Sequence, residues 1–204
     1  MLKKHKRIEL VNNYLDKLNL SQDIQEYFLG RNILVTGGAG AIGSNLCIVL
    51  SKLVGEDGLV IIIDNLSANK SNVPIDFPQL ENIMFVNGDI RSDIDLKRVF
   101  RERPTIVYHL AAFFANQNSV DYPETSADVD IQGMIKLLDL AQFTNVDKFI
   151  YASSGCAIYG SYGKMPLKED FISMHLTTPY QINKMSGEMY SNFYFHHYGL
   201  KTVN

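Results

Sequence analysis

A glycine-rich octapeptide, TGGAGAIG at 36–43, follows an apolar run and precedes a helical pattern. Gly38, Gly40 and Gly43 fit the spacing G-x-G-x-x-G, while Gly37, Gly40 and Gly43 are spaced three apart. Either reading supplies a tight turn, a close approach of the backbone to a phosphate, and N–H groups at a helix N-terminus. The pattern alone also fits an ordinary glycine-rich turn, so its meaning depends on the rest of the chain.

Five short apolar runs alternate with helical patterns after Gly30. The runs are NILVTG, LVIIIDN, NIMFVNGD, TIVYHLAA and KFIYASS, and most are rich in β-branched residues, as in strands covered on both faces. The helical patterns lie at 44–54, 93–103, 125–143 and 180–198. This alternation predicts an α/β fold with a doubly wound, Rossmann-like parallel sheet and right-handed crossovers.

The first 30 residues have a different pattern. Apolar residues recur at helical spacing from Ile8 to Leu29, and Ser21 is placed to cap the second of two short helices. We therefore divide the chain into an N-terminal helical extension, 1–30, and a nucleotide-binding domain, 31–204.

Charge and cysteine content exclude several classes of protein. The formal net charge of -3 over 204 residues offers no general attraction for nucleic acid or anionic membrane, so a phosphate must be held locally. No run approaches the roughly 20 apolar residues of a membrane-spanning helix. The two cysteines have neither metal-ligand spacing nor disulfide density, which predicts a cytoplasmic protein without a metal site.

An acidic residue, Asp64, ends the second apolar run about 20 residues beyond the glycines, where a carboxylate can accept hydrogen bonds from ribose hydroxyls. A carboxylate there would repel a 2′-phosphate, so the sequence favours NAD over NADP. In the alternative interpretation, Asp64 and Asn65 merely terminate a strand.

A second acidic residue, Asp89, follows the third run and is expected at the same edge of the sheet. It could bind the adenine amino group, or it could cap the helix that begins near Asp93. The sequence leaves these two interpretations open.

Tyr180 and Lys184 are four residues apart near the start of the last helical pattern, so their side chains share one face. A phenol titrates near 10, and a nearby ammonium favours the phenolate, which is a usable base. The alternative is an exposed turn of an amphipathic helix.

Together these segments resemble the extended short-chain dehydrogenase/reductase family of NAD-dependent sugar epimerases and dehydratases, and within it the UDP-galactose and UDP-glucose 4-epimerases. The resemblance runs from about residue 32 to residue 204. The matching segments, in family order, are TGGAGAIGSNL, IDNLSANK, NGDI, YHLAA, NSVDYP, YASSGCAIYG and PYQINKMSGE.

The resemblance implies a role for each matching residue. Tyr180 would be the catalytic base, and Lys184 would bind the nicotinamide ribose. Family enzymes oxidise the sugar C4 hydroxyl with bound NAD, and epimerases return the hydride to the opposite face. The implied cofactor-binding residues are Gly37, Gly40, Ala41, Ile42 and Gly43 at the pyrophosphate, Asp64, Asn65, Asn69 and Lys70 at the adenosine, Asp89 and Ile90 at the adenine, Leu110, Ala111, Ala112 and Ser153 beside the cofactor, and Tyr180 with Lys184.

One departure from the family concerns a catalytic hydroxyl. Gly155 stands where the family has a Ser or Thr. Ser154 is the best substitute, Ser153 and Cys156 are weaker ones, and both serines could instead be satisfied polar residues at a strand end. Cys156 and Ala157 supply no carboxylate pair for dehydration, which favours epimerisation.

Three further positions differ from the family. Phe114 stands where the epimerases have a phosphate-binding lysine, Asp130 where they have an asparagine, and Asn183 where a serine is common. These changes are compatible with NAD binding.

The resemblance thus implies an NAD-dependent nucleotide-sugar 4-epimerase, or its cofactor-binding portion, acting as a homodimer on a UDP-linked sugar. The closing GLKTVN resembles the start of the family's sixth strand, so the C-terminal substrate lobe is expected to be absent. A non-catalytic NAD-binding or assembly module is the alternative. A third possibility, an NADP-dependent ketone reductase, conflicts with Asp64.

Overall fold

The computed structural model describes residues 2–68, 80–113, 116–155, 160, 166–168 and 171–204, without the side chains of 2–5 and 7. The residues with suggested roles that lie outside the described ones are Asn69, Lys70, Phe114, Cys156 and Ala157.

Parallel strands form the centre of the described structure. They are β1 (Asn32–Thr36), β2 (Leu59–Asp64), β3 (Ile83–Asn87), β4 (Ile106–His109), β5 (Lys148–Tyr151) and β6 (Thr202–Val203). In the described part of the chain they make one six-stranded sheet in the order β3-β2-β1-β4-β5-β6. The order reverses between β1 and β4, and ligands of open parallel sheets bind at such a point. The predicted doubly wound α/β fold is therefore confirmed, and each predicted run forms a strand.

The helices confirm the predicted alternation with changes in their bounds. They are α1 (Leu2–Leu18), α2 (Gln22–Phe28), α3 (Ala41–Val54), α4 (Asp93–Phe100), α5 (Asn116–Asp121), α6 (Pro123–Ala127), a π-helical turn (Asp128–Gln132), α7 (Gly133–Phe143) and α8 (Pro179–Tyr198). The predicted helical pattern over 125–143 is helical throughout, but the π-helical turn separates α6 from α7. The two predicted N-terminal helices are also present, although α1 is longer than expected, with 17 residues. No helix among the described residues has the length and apolar character needed to cross a membrane.

The sheet is buried on both faces. Successive residues of β1 point to opposite sides of the sheet, and the residues on each side belong to a different core. Ile33 and Val35 belong to the core under α3, while Leu34 belongs to the core under α4, α7 and α8. Burying each such aliphatic side chain contributes about 1.5–3 kcal/mol. This double-sided burial explains why the runs are apolar throughout rather than alternating.

The N-terminal helices pack against α3. Ser21 precedes α2 as its N-cap, as predicted, although its side chain makes no capping hydrogen bond. The ring of Tyr27 lies 4.5 Å from the Arg31 guanidinium, which bonds to Asp147 at 2.6 Å. These contacts join α2 to the starts of β1 and β5.

Candidate cofactor site and active site

The glycine turn between β1 and α3 has little space for side chains. Gly37 has φ +70, and its carbonyl accepts a hydrogen bond from Gly40 N at 3.1 Å. A Cβ on Gly37 would lie 2.7 Å from Ala111 N, and one on Gly43 would lie 2.7 Å from Gly38 Cα. Glycine is therefore required where the turn approaches the segment after β4 and where α3 packs on the turn.

The N-terminus of α3 is open at this turn. Gly40 is the N-cap residue, so no side chain covers the first N–H groups of the helix. Ile42, in the first turn, is 74% exposed. This end of α3 has the geometry and the dipole to hold an anion.

Asp64 lies against the glycine turn. Its Oδ2 accepts a hydrogen bond from Ala39 N at 2.9 Å, and its Oδ1 accepts one from Leu66 N at 2.8 Å. Each carboxylate oxygen has a second lone pair for another donor. The structure therefore brings together the glycines and the acidic residue that the sequence assigns to one ligand.

Asp89 is held by an arginine that sequence reasoning missed. Its Oδ1 accepts from Arg91 Nε at 2.9 Å, and its Oδ2 accepts from Arg91 Nη2 at 2.7 Å and Asn65 Nδ2 at 2.9 Å. Hydrogen bonds from the Arg91 side chain lower the pKa of Asp89 to about 2. The interpretation of Asp89 as a helix cap was wrong, because Ser92 caps α4. Asp89 and Asn65 do lie together at the carboxyl edge of the sheet.

Ile90 follows Asp89 but its side chain points into the core. It is 5% exposed, and a Cβ on Gly133 of α7 would lie 2.7 Å from Ile90 Cδ1. Any contact between Ile90 and a ligand would therefore be made through its main chain.

The segment after β4 is fixed by a buried hydroxyl. Thr36 Oγ1 accepts from Ala111 N at 3.1 Å and lies 2.7 Å from His109 Nδ1. Burial, and secondarily the charge of Lys184, lower the pKa of His109 to about 3, so the ring is neutral and its Nδ1 can accept from Thr36. Thr36 thus orients Leu110 and Ala111 through their main-chain N–H groups, and Ala112 follows them in the chain. The only signal for this role in the sequence was its position before the glycines.

Lys184 is buried beneath the first turns of α8. Thr178 and Gln181 form a capping box, which sets the start of this helix. Lys184 Nζ donates to Ala152 O at 2.7 Å and lies 4.7 Å from the ring centroid of Tyr151. The side chain is 3% exposed, and this burial lowers its pKa to about 8. For Lys184, the interpretation as part of an exposed helical turn was wrong.

Tyr180 is half-buried beside Lys184. The Lys184 ammonium lies 5.8 Å from the centroid of its ring, and Tyr180 N donates to Ser119 Oγ at 3.0 Å. The ammonium and the phenol ring therefore lie on the same face of α8, as their spacing predicted.

Ser153, Ser154 and Gly155 follow β5 after one intervening residue, Ala152. Ser153 Oγ is buried and has no hydrogen-bond partner among the described residues. Ser154 is half-buried, and Gly155 is exposed. A buried hydroxyl without a hydrogen-bond partner lowers the stability of the fold. Ser153 Oγ is therefore a candidate to form a hydrogen bond with a bound ligand.

In the ranges that the structure describes, no three His, Cys, Asp or Glu side chains converge on one point as metal ligands would. The described residues bring hydroxyl, carboxylate and ammonium groups to this edge of the sheet.

Comparisons with known proteins agree with this geometry. A sequence model of the NAD dependent epimerase/dehydratase family matches residues 33–204. An epimerase of Methanothermobacter thermautotrophicus superposes with a TM-score of 0.83 at 49% identity, covering 89% of this chain and 52% of the other.

Two UDP-glucose 4-epimerases of known structure are also similar. The Thermotoga maritima enzyme, solved with UDP-glucose, has a TM-score of 0.74 at 40% identity and covers 84% of this chain and 53% of its own. The Thermus thermophilus enzyme, solved with NAD, has a TM-score of 0.73 at 34% identity with the same coverage of both chains. The chain spans about half the length of the curated relatives it matches.

Proposed function

The chain belongs to the NAD-dependent epimerase/dehydratase family, and from this we propose that it is the cofactor-binding portion of a nucleotide-sugar 4-epimerase. One observation carries the proposal. The glycine turn with Asp64 against it, and the buried Lys184 beside Tyr180, lie along the same carboxyl edge of the sheet.

The residues at this edge fit NAD. The turn at Gly37 and Gly43 has no room for a Cβ, and it opens on the N-terminus of α3, which suits a pyrophosphate. Asp64 has lone pairs left for two ribose hydroxyls and would repel a 2′-phosphate. When bound, the nicotinamide supplies the group that removes and returns a hydride.

Tyr180 and Lys184 would handle the proton. Tyr180 would accept the proton of the sugar C4 hydroxyl, since the neighbouring ammonium favours a phenolate. Lys184 is anchored by Ala152 O and keeps further N–H donors for the nicotinamide ribose.

Ser153 and Ser154 would complete the site. We assign Ser153 Oγ to the cofactor because it is buried without a partner among the described residues. We assign Ser154 to the sugar hydroxyl in place of the missing side chain at Gly155.

The substrate that we propose is a UDP-linked sugar. The Thermotoga maritima relative was solved with UDP-glucose, and the fold neighbours include UDP-sugar 4-epimerases. A non-catalytic NAD-binding module is the second candidate, favoured by Gly155, which offers no hydroxyl.

We further propose a cytoplasmic homodimer. Ile182, Met189 and Phe193 are exposed at helical spacing on one face of α8, and an apolar face of this kind suits a second copy of the chain. Cys47 is buried and forms no disulfide among the described residues, which fits a reducing compartment.

The proposal is tested by mass spectrometry of the nucleotides released when the purified chain is denatured. We expect NAD from the wild-type chain and less from Asp64→Ala, with Asp57→Ala, an exposed carboxylate in a turn, as the control. Tighter binding of NADPH than of NADH would contradict the assignment. Turnover of a UDP-hexose that Tyr180→Phe does not reduce would contradict the role of the tyrosine.

A further inference from the structure

A buried carboxylate, Asp130, joins three parts of the candidate site. It lies in the π-helical turn and is 3% exposed. Its Oδ1 accepts from Phe113 N at 2.7 Å, and its Oδ2 accepts from Ser126 Oγ at 3.0 Å and from Asn183 Nδ2 at 3.5 Å. The carboxylate therefore connects the segment after β4 with α6 and with α8.

The groups around Asp130 all donate hydrogen bonds to it, as suits a carboxylate, which only accepts them. An ionised carboxylate has no hydrogen to offer, and its three neighbours supply a main-chain N–H, a hydroxyl and an amide NH₂. Asn183 Nδ2 also donates to Ser126 Oγ at 2.9 Å, which leaves the hydroxyl hydrogen of Ser126 for Asp130. With asparagine at residue 183 oriented this way, all three neighbours donate to residue 130, and a carboxylate can accept from all of them.

The π-helical turn is what brings the carboxylate to these donors. Its wider hydrogen-bond spacing inserts an extra residue between α6 and α7, and such single turns are frequent at functional sites. Residue 130 is the middle of the five residues. A continuous α-helix over 125–143 would turn this side chain to another direction.

Asp130 also affects Lys184, which follows Asn183 in α8. The titratable groups around Lys184 are His109 on β4, Tyr151 on β5, Asp130 on the π-helical turn, and Tyr180 and Glu188 on α8. His109 is neutral because burial lowers its pKa to about 3, and burial raises the pKa of Tyr151, so neither is charged near neutral pH. Burial raises the pKa of Asp130, while the hydrogen bond from Phe113 N and the charge of Lys184 act against that rise and favour the carboxylate. The negative charge of Asp130 in turn opposes the burial that lowers the pKa of Lys184.

We propose that Asp130 is a positioning residue of this site, which orders the segment after β4 through Phe113 and balances the charge of the buried Lys184 ammonium. The inference rests on the proposed function, because it assigns Asp130 to the same NAD-binding edge. Its two parts make different predictions. Ordering by hydrogen bonds does not depend on pH, whereas a balancing charge changes the pH at which Lys184 loses its proton.

The double variant Asp130→Asn/Asn183→Ser separates the two effects. Asp130→Asn alone removes the charge but also sets two NH₂ groups against each other, those of residues 130 and 183. A serine at 183 can both donate and accept, so the double variant keeps a hydrogen-bonded network without the charge. Asn183→Ser alone keeps the charge and is the matched control.

The first measurement titrates Lys184 directly. The chain is labelled with ¹³C-lysine, the Lys184 signal is assigned with Lys184→Arg, and its shift is followed from about pH 6 to about pH 10, which brackets a pKa near 8. In the double variant we expect the midpoint to fall by about one pH unit, the usual effect of losing a nearby opposite charge. Asn183→Ser should leave it unchanged. An unchanged midpoint in the double variant would overturn the inference.

The second measurement is the affinity for NAD over the same pH range. In the wild-type chain we expect affinity to fall about fivefold as Lys184 loses its proton, since a charged donor is stronger than a neutral one. In the double variant the same fall should occur at lower pH. A loss of equal size at every pH would overturn the charge-balancing part, because it would indicate an effect on geometry alone.

The two measurements also separate this inference from the proposed function. A wild-type chain that does not bind NAD would refute the proposed function, whereas the titration of Lys184 would still decide whether Asp130 balances its charge. Binding of NAD with no change in the Lys184 midpoint would refute the inference and leave the proposed function standing.

Discussion

The ammonium of Lys184 lies over the ring of Tyr151, 4.7 Å from its centroid. Gly187, one turn later in α8, makes this possible, since a Cβ there would lie 2.5 Å from Tyr151 Cζ. Apart from Ala152 O, the face of this ring and the carboxylate of Asp130, the described groups near Lys184 are largely apolar or neutral. Burial outweighs the favourable charge of Asp130, because the pKa of Lys184 still falls to about 8.

Replacing this lysine should stabilise the protein. Burial lowers the pKa of Lys184 from its usual 10.5 to about 8, which corresponds to a cost of about 3 kcal/mol when the group is charged. Lys184→Met removes that cost but also loses the bond to Ala152 O, so we expect a net gain of about 2 kcal/mol near pH 7, measured by denaturant unfolding.

The pH dependence of this gain is the sharper test. The unfolded chain binds the lysine proton up to pH 10.5, whereas the folded chain releases it near 8, so wild-type stability rises with pH between these values. The advantage of Lys184→Met should be constant below pH 8 and shrink towards pH 10.5. Lys201→Met, at an exposed lysine, is the control. An advantage that does not change with pH would contradict the account.

His109 should make the protein sensitive to acid. Its pKa is about 3 in the fold and about 6.5 in the unfolded chain, because burial disfavours the charged ring. The stability that comes from keeping the ring neutral is complete above pH 6.5 and is lost as the pH falls towards 3. The expected slope is about 1.4 kcal/mol per pH unit.

His109→Asn should remove this slope. An asparagine offers Thr36 an acceptor but cannot take up a proton in this range. It loses the ring stacked on Tyr151, so stability at neutral pH should decrease while its dependence on pH between 6.5 and 3 becomes weaker. His196→Asn, at an exposed histidine, should behave as wild type. An equal acid slope in His109→Asn and wild type would show that His109 is not the group responsible.

Gly43 and Gly40, two glycines of the turn, should differ in how much they contribute to the stability of the fold. A Cβ on Gly43 would lie 2.7 Å from Gly38 Cα, a backbone atom that cannot move aside, whereas a Cβ on Gly40 would meet only Gly37 O at 3.3 Å. We expect Gly43→Ala to lower the free energy of unfolding by about 1–3 kcal/mol. Gly40→Ala should cost less than about 1 kcal/mol.

Both glycine substitutions should weaken the binding of NAD, although for different reasons. Both should weaken NAD binding at least about tenfold, or about 1.4 kcal/mol, Gly43→Ala by moving α3 and Gly40→Ala by placing a methyl group where the backbone approaches the pyrophosphate. Calorimetric titration with NAD measures this. Wild-type affinity in Gly40→Ala would mean that the phosphate does not lie at the N-terminus of α3.

Local patterns were sufficient to predict the part of the site nearest the sheet. The buried runs identified the strands because parallel strands are covered on both faces, and the glycine turn required its neighbours to come close. Asp64 was predictable because it ends the strand next to β1, and β1 pairs with β2 along its length. Each of these inferences uses residues that are close in sequence or share one sheet edge.

The parts that sequence reasoning missed depend on packing between distant elements. The bonds from Phe113, Ser126 and Asn183 to Asp130 exist only because α6, the π-helical turn and α8 pack together. Periodicity did not predict the π-helical turn, since one extra residue hardly changes the pattern of apolar positions over 125–143. Arg91 was missed for a different reason. It is only two residues from Asp89, and its hydrogen bonds to that carboxylate depend on the conformation of the loop between β3 and α4.

Ser153 and Ser154 should respond differently to loss of the hydroxyl. Ser153 Oγ is buried without a partner among the described residues, which costs about 1–3 kcal/mol in a folded protein. Ser153→Ala should therefore raise the free energy of unfolding by about 1 kcal/mol and weaken NAD binding, because the methyl group cannot complete a bond to the cofactor. Ser154→Ala, at a half-buried serine assigned to the sugar, should leave NAD affinity within about twofold of wild type. Thermal unfolding with and without NAD measures both effects in one experiment. A destabilised Ser153→Ala variant would indicate that this hydroxyl already has a partner in the folded chain and is not reserved for a ligand.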